Sequence, residues 1–257
     1  MDILRKELNS IYSAQNLSSE ILDAAQIGVC CSLARSLVRV NNACAVITDA
    51  AADRSYLYTG SMGNLLGLTE NMSLDLELSS SDEDLIYNRL HPEDLPEKRM
   101  LEYEFFKYID PLSAADKLQF KASCRIRIKD RRGIYIPIDN TTRIIAPSPG
   151  GKIWLILCCY DLAASPPEAK GISPAIVNNH TGETIRLSLS ERRQSILSRR
   201  EKEILSHIKC GRPSKQIADL LGISINTVNR HRQNIIEKLS VANSTEAVTA
   251  AIAMNLL

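Results

Sequence analysis

Hydrophobic positions along the first 160 residues predict helices and strands in a mixed order. Between residues 16 and 40, apolar side chains recur at the spacing of one helical face, at Ile21, Leu22, Ala25, Val29, Leu33 and Leu37. The short apolar run at 43–48 predicts a strand. Strand patterns at 120–129, at 134–138 with 141–146, and at 152–160 are separated by turn residues and predict three consecutive antiparallel strands.

The pattern changes after residue 162. A stretch rich in Pro, Ser and Ala predicts a linker over 163–190. Within it, 175–178 and 183–186 flank Asn179-His180-Thr181-Gly182, a sequence that can close a small hairpin. After Leu197 the apolar residues fall at helical spacing, so the end of the chain is expected to be all helical.

Helix ends are marked clearly after residue 197. Ser198 followed three residues later by Glu201 is a capping box, which begins a first helix. Gly211 ends this helix, and a short second helix follows. Gly222 permits the positive φ of a tight turn, and Ser224 caps a third helix. This order of elements predicts a helix-turn-helix that binds DNA.

The third helix has an apolar side and a polar side. At about 100° per residue, Val228, Ile235 and Leu239 fall together and face inward. The opposite side carries amide and guanidinium groups, which pair with base edges in the major groove. We therefore expect base contacts from four residues, Asn226, Asn229, Arg230 and Gln233. Contacts to phosphate groups, which fix the docking, are expected from Ser214, Lys215, Thr227, Arg232 and Lys238.

The segments LSRREKEIL and GRPSKQIADLLGISINTVNRHRQNIIEKL resemble the DNA-binding domain of the LuxR/FixJ family. The resemblance covers residues 197–257. Two positions depart from the family pattern: Asn229 stands where the family usually has Lys, and Pro213 where it usually has Ser. The resemblance implies a fourth helix over 244–257 that supports a homodimer. Its two recognition helices would lie about 34 Å apart, in successive major grooves.

Three motifs follow one another between residues 42 and 162. They are ACAVITDAAADRSYLY with GNLLGLTENM, then His91-Pro92-Glu93-Asp94, then the three closing strands. In this order they resemble a PAS domain, which implies an antiparallel sheet with flanking helices. A ligand cavity between sheet and helices would be lined by Phe120, Ile126, Ile136 and Trp154. His91 is interpreted as part of a helix-capping turn rather than as a haem or metal ligand.

Charge is divided unevenly along the chain. Of its 31 Lys/Arg and 30 Asp/Glu, 11 and 6 lie at 191–257, a net charge of +5, which leaves 20 and 24, a net of −4, for the rest. A basic C-terminal segment suits a polyanionic partner. The seven cysteines include no C-x-x-C and are interpreted as reduced, buried thiols, so no metal site is expected. No catalytic constellation appears, so neither enzymatic activity nor a cofactor is expected.

These features together predict an α+β chain in four parts: N-terminal helices at 1–41, a PAS-like sensor domain at 42–162, a linker at 163–190 and a LuxR-type four-helix domain at 191–257. The expected function is a sequence-specific DNA-binding transcription regulator, whose sensor responds to a ligand or partner and controls dimer geometry or access to DNA. The alternative is a sensor or scaffold whose helical bundle binds protein, for example the transcription machinery.

The expected partners are double-stranded DNA, a second copy of the chain and RNA polymerase. The first thirty residues do not read as a signal peptide, and no apolar run approaches the roughly 20 residues that cross a bilayer. The protein is therefore expected in the cytoplasm, without a membrane partner.

Overall fold

The computed structural model describes residues 3–81, 83–165, 171–189, 197–239, 241–253 and 256–257. Two compact units are present: one is Leu8–Leu187, and the other is Ser188–Leu257 together with Met1–Glu7. We call the first the sheet unit, because it holds all of the described strands, and the second the helical unit. The predicted domain boundary between 190 and 191 lies outside the described residues.

The strands of the sheet unit form one sheet. They are β1 Cys44–Asp49, β2 Arg54–Thr59, β3 Leu74–Leu78, β4 Phe120–Lys129, β5 Tyr135–Pro147, β6 Ile153–Leu162, β7 Ala175–Asn178 and β8 Thr184–Arg186. Their spatial order is β3-β2-β1-β6-β5-β4-β7-β8, and each neighbouring pair is antiparallel. The predicted PAS-like antiparallel sheet with flanking helices, followed by an all-α domain, is confirmed.

Helices precede, interrupt and follow the strands. They are α1 Ile3–Ala14, α2 Ala24–Asn41, α3 Met62–Leu65, α4 Asp84–Tyr87, α5 Asp94–Ile109, α6 Ala114–Lys117, α7 Arg199–Lys209, α8 Ser214–Leu221, α9 Ile225–Leu239 and α10 Ser244–Ala253. None of the helices that the structure describes is long and apolar enough to span a bilayer.

The helix predicted over 16–40 begins later and buries a different face. A 3-10 turn occupies Leu17–Ser19, and Asp23 caps α2 by accepting a hydrogen bond from the Ala25 N–H at 2.9 Å. Three side chains of the predicted apolar face, Val29, Leu33 and Leu37, are 54%, 65% and 38% exposed. The face that packs on the sheet consists of smaller residues, Cys30, Cys31, Ala34 and Val38. Short side chains let the helix lie close to the strands, so the bulkier stripe stays outside.

The second of the three predicted strands has no break between its two apolar runs. β5 runs unbroken from Tyr135 to Pro147, through the polar residues at 139–142. Asn140 is buried within it, where its Nδ2 donates to the Cys159 carbonyl at 3.0 Å and its Oδ1 accepts from the Cys124 thiol at 3.6 Å. A polar residue with partners on both neighbouring strands continues a sheet as well as an apolar one does.

The predicted small hairpin is present and belongs to the sheet. β7 pairs with β4, and β8 pairs with β7. Ile172 and Ile176 are buried there. The segment interpreted as a linker therefore contributes two strands to the sheet unit, while the boundary at 162/163 stays a prediction.

The turn at His91 fastens α5 to β4. The carbonyl of His91 accepts a hydrogen bond from the Asp94 N–H at 2.9 Å. The buried Asp94 carboxylate accepts from the backbone N–H of Arg127 at 2.7 Å and pairs with its guanidinium at 2.6 Å. This ion pair fixes the start of α5 against the strand that follows it in the sheet unit.

The edge strand β3 carries acidic side chains that pair with neighbouring elements. Asp75 accepts from Arg35 of α2, and Glu77 accepts from Arg54 of β2, both at 2.7 Å. All four side chains are partly exposed, so each pair contributes about 1 kcal/mol or less.

Two glycines give a matched test of this packing. A Cβ on Gly60 would lie 2.6 Å from the Val38 carbonyl oxygen and 2.8 Å from the Asn42 Cα, both backbone atoms of α2 and its cap. We expect Gly60→Ala to lower the free energy of unfolding of the sheet unit by about 1–3 kcal/mol. Urea denaturation followed by the fluorescence of Trp154, the single Trp of the chain, measures it.

The control is Gly28→Ala, on the exposed side of α2. No described atom outside the helix lies within 4 Å of a Cβ built there. This change is expected to raise the free energy of unfolding by about 0.5–1 kcal/mol through helix propensity. Stabilisation by both substitutions would contradict the close approach at Gly60.

Candidate DNA interface

The four helices of the helical unit pack around one apolar core. Its fully buried members are Ile204 and Leu205 of α7, Ile217 of α8, Val228 and Ile235 of α9, and Ala247 and Ala251 of α10. The inward direction predicted for Val228 and Ile235 is therefore observed, with Leu239 packed against the same core. Because one side of α9 is buried, its opposite side faces solvent.

Local hydrogen bonds set the ends of these helices. The Glu201 N–H donates to the Ser198 Oγ at 3.2 Å, and the Ser198 N–H donates to the Glu201 carboxylate at 2.7 Å, which completes the predicted capping box. Gly222 ends α8 at φ 62°, a left-handed conformation that favours glycine. The Thr227 N–H then donates to the Ser224 Oγ at 3.0 Å, which caps α9 as predicted.

The four residues expected to contact bases all lie on the exposed side of α9. Asn226, Asn229, Arg230 and Gln233 fall within an arc of about 100° around the helix axis. The Gln233 Nε2 donates to Glu237 at 3.2 Å, so this amide is held by the next turn of the same helix. The arrangement presents two asparagine amides and a guanidinium side by side, the groups that recognise adenine and guanine.

The residues expected to contact phosphate differ in their exposure and in their hydrogen bonds. Lys215 is exposed at the start of α8. Arg232 is half-buried and bridges three helices, since its guanidinium donates to Ser214 of α8 and Ser244 of α10, each at 3.2 Å. A groove beside this bridge is lined by Ser214, Arg232 and Asn229 together with the start of α10. The structure thus brings two predicted phosphate contacts next to one predicted base contact.

Lys238 has an internal partner. Its ammonium donates to the carboxylate of the buried Glu201 at 2.8 Å, although the two residues lie far apart in sequence. Burial raises the pKa of Glu201, but hydrogen bonds from Lys238 and Ser198 outweigh it and hold this pKa below its usual 4.5. The ion pair joins the start of α7 to the end of α9.

Arg200 is a positioning residue that sequence patterns did not single out. Its guanidinium donates to the carbonyl oxygen of Leu221, at the end of α8, at 3.0 Å, and pairs with Glu203 at 2.7 Å. An Arg at the carbonyl end of a helix satisfies an acceptor that has no partner within the helix. The contact fixes the turn before α9, and no periodic signal reveals it, because it depends on how α7 and α8 pack.

Comparison with known proteins agrees with this geometry. Residues 195–251 match the model of the family described as bacterial regulatory proteins, luxR family. The transcriptional activator protein CarR of Pectobacterium carotovorum is 44% identical over 64 residues, which cover 25% of this chain and 26% of CarR. The transcriptional regulatory protein UhpA of Salmonella typhimurium is 40% identical over 133 residues, which cover 44% of this chain and 68% of UhpA. The chain belongs to the luxR family.

This luxR-family chain covers only part of the length of several relatives. The aligned part of the chain spans only about a quarter of the length of CarR. A solved structure of the Vibrio cholerae VqmA dimer covers 92% of this chain and 89% of that chain, at 16% identity and a TM-score of 0.28. The family match at residues 195–251 lies within the helical unit.

The four residues expected to line a sensor cavity differ in their surroundings. Trp154 packs in the apolar cluster under α2, where its indole N–H donates to Asp49 at 3.1 Å. Ile126 is fully buried, whereas Phe120 and Ile136 are partly exposed towards the ends of β4 and β5. Apolar alternation marks both faces of a sheet and does not show which face encloses a cavity.

The sheet unit instead has a buried polar cluster, formed by α4, α5 and the strands behind them. The Lys98 ammonium donates to Glu102 at 2.7 Å and to the Thr142 hydroxyl at 3.1 Å. The Tyr87 hydroxyl donates to the same Glu102 oxygen at 2.7 Å. Burial lowers the pKa of Lys98, but the adjacent Glu102 carboxylate raises it above its usual value, so Lys98 stays charged.

Glu83 is the second carboxyl group of this cluster. It is buried and accepts a hydrogen bond from the Tyr160 hydroxyl. Burial, together with the nearby Glu102, raises the pKa of Glu83 to about 7. A small cavity of about 20 Å³ lies between Glu83, Glu102, Thr142 and Cys158, enough for about one water molecule.

The ion pair of Glu201 predicts how acid affects the helical unit. A carboxyl whose pKa is lowered on folding stabilises the fold fully above its unfolded value, and this stabilisation is lost as the pH falls through the folded value. We expect the hydrogen-exchange protection of α7 amides to fall below about pH 4.5. In Glu201→Gln, which keeps the capping geometry, most of this pH dependence should disappear.

Glu203→Gln is the matched control, since Glu203 is an exposed partner of Arg200 on the same helix. It should leave the acid dependence of protection nearly unchanged. An acid dependence that survives Glu201→Gln but not Glu203→Gln would contradict the assignment.

Proposed function

We propose that this chain is a sequence-specific DNA-binding transcription regulator that acts in the cytoplasm and has no enzymatic activity of its own. The observation that carries the proposal is the row of exposed polar residues on α9, which is formed by Asn226, Asn229, Arg230 and Gln233. The opposite side of this helix is buried. Family membership and the net charge of +5 at 191–257 support it. In this proposal the sheet unit is the sensor for a ligand or partner.

The proposal assigns different roles to the polar residues of the helical unit. Asn226, Asn229, Arg230 and Gln233 would read base edges in the major groove. Ser214, Lys215, Thr227 and Arg232 would contact phosphate groups beside it. Lys238 would also contact phosphate, while its ammonium binds the buried Glu201 as well.

We further propose that the regulator acts as a homodimer. A two-fold dimer would hold its two copies of α9 about 34 Å apart, in successive major grooves of a palindromic site. Ile252 on α10 is 49% exposed and offers apolar surface for such a contact. A signal received by the sheet unit would change the dimer geometry or the access of α9 to DNA. RNA polymerase, which works beside a bound regulator, is the further proposed partner.

DNA binding by the full chain is the first test. Fragments selected from a pool of genomic DNA should share a sequence, and the chain should bind them tightly at low salt. The logarithm of the association constant should then fall with the logarithm of salt concentration by about 0.9 for each phosphate contact. If the chain binds no duplex DNA even at low salt, the helical unit instead serves protein binding, and the proposal is wrong.

Arg230 and Lys215 should differ in their effect on specificity. Arg230→Ala should cost about 1–3 kcal/mol on the selected site and relax the preference at one base position. Lys215→Ala should weaken selected and random duplexes alike and reduce the salt slope by about one. The affinities of both variants for the selected duplex and for a random duplex test this difference in specificity. An equal loss on both duplexes in Arg230→Ala would exclude base reading by that residue.

A further inference from the structure

Three potential metal ligands meet inside the sheet unit. Glu83 immediately precedes α4, Glu102 lies on α5, and Cys158 lies on β6. All three are buried, and one ligand atom from each lies within 4.8 Å of the other two. Segments far apart in sequence thus deliver two carboxylates and a thiol to one point.

Glu102 has an oxygen without a partner at this point. Its Oε1 accepts hydrogen bonds from Lys98 and Tyr87. Its Oε2 is buried and has no hydrogen-bond donor among the residues that the structure describes. Leaving a buried carboxylate oxygen unpaired costs free energy, so we expect a cation or a hydrogen-bond donor beside this atom.

The adjoining cavity has the size of a single ion with little room beyond it. Its volume is about 20 Å³, and its walls include Glu83, Glu102 and Cys158. Thr142 and Tyr87 belong to the same wall, and further polar residues of the lining are Asn9, Tyr12, Thr48 and Ser81. An organic ligand does not fit in such a volume, whereas a metal ion or a water molecule does.

The charges of the cluster also favour a divalent cation. The Lys98 ammonium balances one carboxylate, that of Glu102. Glu83 and the Cys158 thiol have no cation of their own among the described groups that line the cavity. A divalent ion would neutralise one further carboxylate and a thiolate, and would leave the buried cluster without net charge.

We propose that Glu83, Glu102 and Cys158 bind one divalent transition-metal ion of the zinc type. Carboxylate oxygen and thiolate sulfur are both ordinary zinc ligands. Three protein ligands leave a fourth position open to water or to an exogenous molecule. This proposal replaces the sequence-based expectation that the chain has no metal site.

The ligand atoms need only a small movement to reach a metal. Bond lengths of about 2.1 Å to oxygen and 2.3 Å to sulfur place tetrahedral ligand atoms about 3.6 Å apart. The ligand atoms lie within 4.8 Å of one another, so each separation needs to close by about 1 Å at most. Rotation about the last torsion of each glutamate, which is broad in energy, supplies such a movement.

A metal site in the sheet unit would make a divalent metal ion the signal that the sensor detects. The sensing role rests on the proposed function, in which the sheet unit controls DNA binding. Metal binding itself does not rest on it, because it depends only on the three ligands and the cavity.

The test uses the full chain carrying Cys210→Ser, which removes the exposed thiol. After dialysis against a chelator, Co²⁺ is titrated and the near-ultraviolet absorption of a thiolate–Co²⁺ bond is recorded. We expect one equivalent of Co²⁺ to bind, and Zn²⁺ to abolish the absorption by displacement. Cys158→Ser should remove the absorption and weaken binding by about ten-fold or more.

Two neighbouring cysteines provide matched controls. Cys159 follows on the same strand and packs towards α2, on the opposite face of the sheet. Cys124 is buried in the same interior but lies outside the ligand set. Cys159→Ser and Cys124→Ser should both keep the absorption and the stoichiometry.

A second ligand variant makes the test independent of the thiol. Glu83→Gln should keep the thiolate absorption but weaken Co²⁺ binding by about ten-fold or more, with circular dichroism confirming the fold. The proposal is overturned if the chain binds no stoichiometric Co²⁺, if the absorption persists in Cys158→Ser, or if Glu83→Gln binds as tightly as its parent. Since no readout involves DNA, failure here leaves the regulator proposal standing, and failure to bind DNA leaves the metal site standing.

Discussion

The rotation of α9 about its own axis is set by the burial of Val228 and Ile235 in the helical core. Each such side chain contributes about 1.5–3 kcal/mol when it is removed from water. Turning the helix by the angle of one residue would expose both, so the direction of the polar row is fixed as firmly as the core itself. The contacts of Arg200 with the end of α8, and of Lys238 with Glu201, then hold the helix ends in place.

Most of the helical unit follows from local sequence signals. The capping box at Ser198 and Glu201 and the glycine at 222 act within a few residues, and both have the predicted geometry. Periodicity then assigns the two sides of α9. The ion pair of Lys238 with Glu201 escaped prediction because its partner lies on another helix. The phosphate contact expected of Lys238 stays a prediction.

Most strands of the sheet unit were predictable, but β3 and the buried faces were not. β4 has the predicted bounds, since alternation is a local property. The prediction of which face of α2 is buried was wrong. Val29 and Leu33 have the better apolar pattern, but the smaller Cys30 and Ala34 permit close packing on the sheet and are the buried residues.

Lys98 and Glu102 show a second limit of sequence patterns. Their spacing of four residues on a helix is typical of an exposed pair, yet both are buried. The residues predicted to line a cavity are apolar, whereas the small cavity beside Glu102 is lined by both polar and apolar residues. Only the fold brings Glu83, Glu102 and Cys158 together, as their separation along the chain carries no motif.

An open antiparallel sheet has two free edges, and each could in principle recruit a strand from another molecule. In this chain one edge is β3, where Asp75 and Glu77 are charged side chains paired with Arg35 and Arg54. The other edge is β8, which is only three residues long. Short and charged edges are poor templates for further strands. The sheet therefore carries its own protection against edge-to-edge aggregation, a protection that neutral residues at positions 75 and 77 would weaken.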